Sequence, residues 1–508
     1  MLIKLVFLIC FFTIMILVGI YARKHATNVG DFVLGGRSVG PWLTAFAYGT
    51  TYFSAVIFVG YAGQFGWKYG IAGTWIGLGN AFIGSLLAWV VLGRRTRVMT
   101  KHLKSSTMPD FFGSRFDSKT LKIVASAIVF VFLVPYTASV YKGLSVLFGM
   151  AFDVPYWVCV LAMAVLTGIY VILGGYMATA INDFIQGIIM LGGIIAVVIA
   201  VLYGNGGFIA AIGKLAELKS DIPATMGQPG AFTSFFGPDP INLLGVVILT
   251  SLGTWGLPQM IHKFYTIKDE KAIKTGTIIS TVFAVIISGG CYFLGGFGRL
   301  YDGAAIRSES GSIVYDNIVP HMLSSLPDVL IGIVVVLVLS ASMSTLSSLV
   351  LTSSSTLTLD FIKGTIDKNM SEKKQLLTMR ILIVFFIATS VAIALDPPLF
   401  IAQLMGISWG ALAGSFLAPF LFGLYWKGVT KTAVWASFAA GVGITVSNMY
   451  LKYIASPINA GAIAMLAGLI IVPVVSLLTP KMKKDKINDI FSCYDETVTG
   501  HTKKSIQE

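Results

Sequence analysis

Apolar runs of about 20 residues recur from one end of this 508-residue chain to the other, and charged residues fall in the gaps between them. A helix of that length spans roughly 30 Å, the thickness of a bilayer's hydrocarbon core. Inside that layer every backbone amide must find its partner within the protein, so repeated apolar runs of this length imply helices. Only 12% of the residues are charged and the mean hydropathy is +0.83, whereas soluble domains carry about 25% charged residues. The chain also exceeds the roughly 250–300 residues at which a single soluble core stops growing. It reads as an all-α integral membrane protein. The net charge of +13 does not require a nucleic-acid partner, because the basic residues collect in short loops on one side of the apolar runs. The lipid bilayer and a small-molecule substrate are the expected partners, with no nucleic acid and no obligatory protein partner.

Thirteen spans are expected, near residues 2–22, 40–63, 70–93, 121–149, 154–174, 176–203, 240–262, 276–300, 329–361, 377–395, 399–425, 429–451 and 459–479. One set of loops carries Arg23, Lys24, Arg37, Arg94, Arg95, Arg97, Lys101, Lys104, Arg115 and Lys119, then Lys263, Lys268, Lys271, Lys274, Lys363, Lys368, Lys373, Lys374, Lys427 and Lys431. The opposite loops carry Lys68, Lys214, Lys219, Arg307 and Lys452. The basic set, with the C-terminus, is therefore expected in the cytoplasm, and an odd number of spans puts the N-terminus outside, in the cell membrane. The first run, Leu2 to about Ala22, lacks a small-x-small cleavage pattern and reads as a retained helix rather than a signal peptide. Spans two to six and seven to eleven form two blocks of five. An odd block followed by another reverses its orientation, which is the arithmetic of an inverted repeat. The expected divisions are 1–39 (an extra helix and cytoplasmic loop), 40–203 (first repeat), 204–239 (extracellular loop), 240–425 (second repeat), 426–480 (two flanking helices) and 481–508 (cytoplasmic tail).

In transporters with such repeats the site lies at mid-membrane, where helices break and free backbone carbonyls. The second span has such a signal, with Gly49 followed by Thr50, Thr51, Tyr52, Phe53 and Ser54, residues of modest helix propensity. The seventh has another at Gly253-Thr-Trp-Gly256-Leu-Pro258, where proline removes a helix hydrogen bond. The ninth span is rich in hydroxyls, Ser340-Ala-Ser-Met-Ser-Thr-Leu-Ser-Ser348, and Ser344, Thr345 and Ser348 fall on neighbouring turns of one face. Hard cations take oxygen ligands, and neutral hydroxyls with freed carbonyls supply them without fixed charge. The same hydroxyls also serve as bonds to their own helix or as glue between helices. Asp183, within the sixth span, marks a functional position or a helix start at the interface. Lys142, two turns beyond Tyr136, either meets a substrate carboxylate or snorkels to the outer interface.

No P-loop, HExxH or paired-carboxylate pattern occurs, and His25, His102, His262, His321 and His501 are scattered, so no enzyme is expected. Cys10, Cys159, Cys291 and Cys493 form no CxxC pair, so neither a disulfide framework nor a metal-thiolate site is expected.

Three stretches resemble the sodium:solute symporters, a family that includes proline, pantothenate, sialic-acid and sugar symporters. They are Asp31-Phe-Val-Leu-Gly-Gly-Arg-Ser-Val-Gly40, Gly174-Gly-Tyr-Met-Ala-Thr-Ala-Ile-Asn-Asp-Phe-Ile-Gln186 and Met343-Ser-Thr-Leu-Ser-Ser348. The resemblance spans about residues 1–480. It implies a five-plus-five inverted repeat of the LeuT-like kind with flanking helices. It also implies a main sodium site from the carbonyls of Thr50, Phe53 and Ala341 and the hydroxyls of Ser344 and Thr345. A second site in some members maps to Asp183, Ser344, Ser347 and Ser348, so one or two sodium ions are implied. For the solute, Tyr52, Ser54, Val56, Tyr136, Lys142, Thr254, Trp255, Ser408 and Trp409 are the candidate wall residues. Proline symporters carry aromatic residues at the positions of Val56, Thr250 and Thr254, and here only Tyr136 keeps its ring. Thr51–Ala55, Ile181–Gln186 and Gly256–Pro258 look closer to the pantothenate branch. The implied function is sodium-coupled import of a small organic acid or amino acid, a proline-, pantothenate- or sialic-acid-like solute. A passive channel or a sensor of the same fold is the alternative.

Overall fold

The computed structural model describes residues 2–22, 28–152, 154–396 and 399–495. Arg23, Lys24 and His25 of the expected cytoplasmic loop lie outside the described residues, as do His501 and the tail beyond residue 495. Helices dominate, and strand pairing among the described residues is limited to two isolated bridges. Among the described residues ten helices are long and apolar enough to cross a membrane, or eleven when one bent pair counts as a span. The expected thirteen is not reached on that measure, for two reasons. The later part of the expected 40–63 span is joined to the 70–93 span in one 47-residue helical stretch, Val56–His102, which at 1.5 Å per residue is ~70 Å long and far exceeds a bilayer. It turns at Gly70 (φ 59°, ψ −139°), where a β-carbon would lie 2.1 Å from the Phe232 carbonyl oxygen. A further expected span appears as the shorter apolar helix Tyr156–Ile169.

Seven elements position the site. Helix α1 (Pro41–Tyr52) opens on Pro41, whose missing N–H is not needed in a first turn. It stops at Phe53, which is extended (φ −109°, ψ 104°), and helix resumes after Ser54. The break falls at Phe53 and Ser54, the end of the Gly49–Ser54 run, while Gly49 stays helical. Helix α2 (Lys119–Phe152) carries Tyr136 and Lys142. Helix α3 (Tyr156–Gly204) is interrupted at Gly175 (φ 54°, ψ −151°), beneath the Phe32 ring. Helix α4 (Pro240–Leu252) passes through a short 3₁₀ turn to an extended Leu257, and α5 (Pro258–Thr266) continues at an angle of 41°. Pro258 therefore starts a helix rather than kinking one. Helix α6 (Asp328–Thr356) is buried on all sides from Val334 to Thr356, as expected of a central helix. Helix α7 (Ile401–Tyr425) is likewise enclosed.

Lipid supplies no hydrophobic drive for helices to associate, so close packing of small residues has to do it. Gly66 and Gly295 illustrate this: a β-carbon on Gly66 would lie 1.9 Å from the Gly295 carbonyl oxygen. Outward faces stay apolar, as at Ile188, Ile195 and Ile199 of α3. Some charges close helix ends. Arg115 is buried, and its guanidinium donates to the carbonyls of Gly423 (2.9 Å) and Trp426 (3.1 Å), closing the C-terminus of α7 where the helix dipole is negative. Valine at Gly66 should destabilise the protein by about 3 kcal/mol through overpacking. Alanine at Gly192, which has open space around it, should change stability by less than about 0.5 kcal/mol. Thermal unfolding of the purified variants in detergent checks both.

Candidate functional site

The break after Tyr52 leaves α1 carbonyls without their usual helical partners, and α6 answers them. The Thr345 hydroxyl lies 3.3 Å from the Thr50 carbonyl oxygen, 3.2 Å from that of Thr51 and 3.1 Å from that of Ala341. One hydroxyl has one proton, so three acceptors converge on a single donor. Beside them the Ser344 hydroxyl donates to Thr50 Oγ1 at 2.7 Å. All five residues are buried, at 0–1% exposure. Thr50, Ala341, Ser344 and Thr345 thus come together across two separate elements, and Phe53 forms the break itself. Oxygen lone pairs outnumber protons here, and a small hard cation satisfies such a set. Among the described residues no group of three or more His, Cys, Asp or Glu side chains gathers to hold a metal.

One turn further along α6, Ser348 and Ser347 diverge. The Ser348 hydroxyl lies 2.9 Å from Thr51 Oγ1 and accepts from the Lys263 ammonium at 3.0 Å. The Ser347 hydroxyl donates to the Ser344 carbonyl of its own helix at 2.8 Å. The Asp183 carboxylate, on α3, lies 3.7 Å from the same ammonium.

Four of the expected wall residues also converge. The Tyr52 ring stacks on Phe53 (centroids 4.3 Å apart) and on Trp409 (6.1 Å), and Tyr136 meets Trp409 edge-on at 5.9 Å. The Tyr136 hydroxyl faces Ser54 and Trp409. Val56 lies on the turn just beyond Ser54 and is fully buried.

The sodium:solute symporter family model matches residues 32–441 of the chain. The chain belongs to the sodium:solute symporter family. Sodium/proline symporter 2 of Staphylococcus saprophyticus is 31% identical over 454 residues, covering 87% of this chain and 85% of that relative. A sodium/proline symporter of Staphylococcus aureus is 29% identical over 490 residues, covering 93% and 91%. Among solved structures, a Na+-coupled sialic acid symporter in a substrate-bound outward-open state matches at TM-score 0.74 and 17% identity, over 95% of this chain and 99% of that one. A nucleobase-cation-symport-1 family transporter in a closed conformation matches at 0.52 and 13%, over 91% and 98%. The fold is thus the LeuT-like inverted repeat with flanking helices, in a multi-pass membrane protein. Sodium-coupled import of a small solute is its activity, which makes the chain a transporter.

In this symporter the remaining wall candidates point elsewhere. Thr254 donates to the Gly84 or Ser251 carbonyl (3.1 and 3.0 Å), Trp255 to the Ile83 carbonyl (3.0 Å) and Ser408 to the Phe132 carbonyl (2.5 Å). Lys142 is not left for a substrate carboxylate. Its ammonium pairs with Asp316 at 2.8 Å and donates to the Leu399 carbonyl at 3.1 Å. Burial pushes the Asp316 carboxyl above the usual carboxylate range, and Lys142 offsets part of that rise. Asp316 also accepts from the Ile401 N–H, at 3.3 Å, capping α7. Asp316 and Lys263 had no distinguishing sequence signal of their own. Lys263 lies one residue past the expected end of its span, and the break at Gly256–Leu257 carries helix on to Thr266, which draws it inside.

Leucine at Asp316 strands the Lys142 ammonium and should cost about 3 kcal/mol, as breaking buried pairs does. Adding K142M should recover all but about 1 kcal/mol, the share of the lost cap. Thermal unfolding of the single and double variants measures it.

Proposed function

We propose that the symporter carries one solute of amino-acid or small organic-acid size with a sodium ion held between α1 and α6. The carbonyls of Thr50, Phe53 and Ala341 and the hydroxyls of Ser344 and Thr345 are its ligands. The observation that carries this reading is the convergence of three carbonyl oxygens on the single Thr345 hydroxyl, at 3.1–3.3 Å, inside the membrane. An ion entering there replaces hydroxyl bonds with oxygen ligands from both elements and holds them together. Tyr52 carries the effect to the solute, because it is next in chain to Thr51 and stacks on Trp409. Solute seated against Tyr52, Ser54, Tyr136 and Trp409 then tightens sodium binding, since coupling between sites is reciprocal. One charge moving down about 100 mV supplies roughly 2.3 kcal/mol. The similarity to sodium/proline symporters makes proline the first solute to test, and the absence of aromatic residues at Val56, Thr250 and Thr254 favours a differently shaped acid. The loops of Arg37, Arg94 and Lys427 are placed in the cytoplasm on charge, with residues 40–203 and 240–425 as the two repeats.

Two measurements test this. In T345A and S344A, the sodium concentration giving half-maximal thermal stabilisation should rise about tenfold or more, equivalent to about 1.4 kcal/mol, with membrane insertion intact; unchanged sodium dependence in both would sink the site. Proteoliposomes given an inward sodium gradient should accumulate one of proline, pantothenate, sialic acid or a short carboxylate above equilibrium. Flux that only equilibrates the solute would instead indicate a passive channel.

A further inference from the structure

By sequence Lys263 reads as one more cytoplasmic loop lysine, yet its side chain is only 2% exposed and lies among the oxygens of the second implied sodium site. Its ammonium donates to Ser348 Oγ at 3.0 Å, stands 3.7 Å from Asp183 Oδ2 and lies 5.3 Å from the Tyr176 ring centroid. Asp183 is fully buried, and among the described residues Lys263 is the one cationic side chain within 4 Å of it. No conventional hydrogen bond reaches either carboxylate oxygen. The ammonium is therefore the counter-charge that Asp183 has.

Lys263 already takes the place a second ion would need, both at Ser348 and at the Asp183 charge. Ser348 accepts from the ammonium and shares a further hydrogen bond with Thr51 Oγ1, 2.9 Å away. Ser347 donates to the Ser344 carbonyl and keeps its own lone pairs, so the obstacle to a second ion is the ammonium on Ser348 and Asp183. A sodium ion and a lysine ammonium compete for the same lone pairs and the same negative charge. Two cations a few ångströms apart with little water between them repel strongly. Asp183, Ser347 and Ser348 do not fit a second sodium while Lys263 is present.

We propose that Lys263 provides a tethered cation in place of the second sodium, so that this symporter binds a single sodium ion. The ammonium ties α5 to Asp183 of α3 and Ser348 of α6, and through Ser348 to Thr51 of α1. A tethered charge cannot be released on the other side of the membrane, so it fills the site without drawing on the gradient. Lys263 acts here as a positioning residue. The inference rests on the Thr50–Thr345 set being the site of that single ion.

Equilibrium binding of ²²Na⁺ to the purified full-length protein in nanodiscs tests it. The wild type should saturate at one ion per chain. Removing the ammonium in K263A exposes the Asp183 carboxylate and should raise the count to two, with a sigmoidal isotherm; K263Q, closer in volume, should do the same and guards against a folding defect in K263A. A wild-type count of two overturns the tethered cation and leaves the Thr345 site standing. A count that stays at one in both folded variants also overturns it. A wild-type count of zero overturns the Thr345 site and this inference together. In K263A/T345A the count should fall from two to one, which separates the two sites.

Discussion

Backbone carbonyls released inside hydrocarbon have to be satisfied by the protein or by an ion, and that requirement organises the centre of this molecule. The chain breaks α1 after Tyr52 at the depth where α6 presents Ser344, Thr345 and Ser348. The carbonyls of Thr50 and Thr51 then turn to a side chain on another element. A continuous helix at this point would have no use for the hydroxyls, and an apolar α6 would leave the break unsatisfied. Each feature explains the other.

The surroundings make that junction stiff on one side and adjustable on the other. Glycine contacts such as Gly66 against Gly295 bring backbones together without intervening side chains. The Lys142–Asp316 pair joins α2 to the start of α7, and Arg115 closes the end of α7. Against this frame, α5 is short, follows an extended Leu257 and is set at 41° to α4. Its Lys263 reaches across to α3 and α6. Moving α5 therefore disturbs the group next to the proposed ion ligands, a physical route from helix movement to ion affinity.

Charge within the membrane is used sparingly. The proposed ion site has no carboxylate of its own, so a bound sodium ion is held by dipoles alone and is released more easily than from a charged cage. The Asp183 carboxylate on α3 is matched by Lys263 instead of being left open. A buried charge is costly unless paired.

What the sequence determined by itself was whatever depends on local composition and spacing. Runs of apolar residues require helices in lipid, and Gly-Pro and Thr-rich interruptions mark where those helices fail. The clustered hydroxyls of residues 340–348 show that oxygen would be offered to the centre. The family resemblance was legible in three short stretches, and the whole-length comparisons agree with it. The tertiary structure decided everything that depends on a partner far along the chain. It chose Asp316, 174 positions from Lys142, over a substrate carboxylate. It fixed the first break at Phe53 within the Gly49–Ser54 run, where the freed Thr50 and Thr51 carbonyls meet Thr345. It joined Val56–His102 into one helical stretch that turns at Gly70, a turn that composition alone does not place. It also carried Lys263 inward to Asp183, 80 residues away. Burial and pairing are properties of three-dimensional neighbours, and a charge beside the end of an apolar run looks the same in sequence whether it ends in water or against a carboxylate.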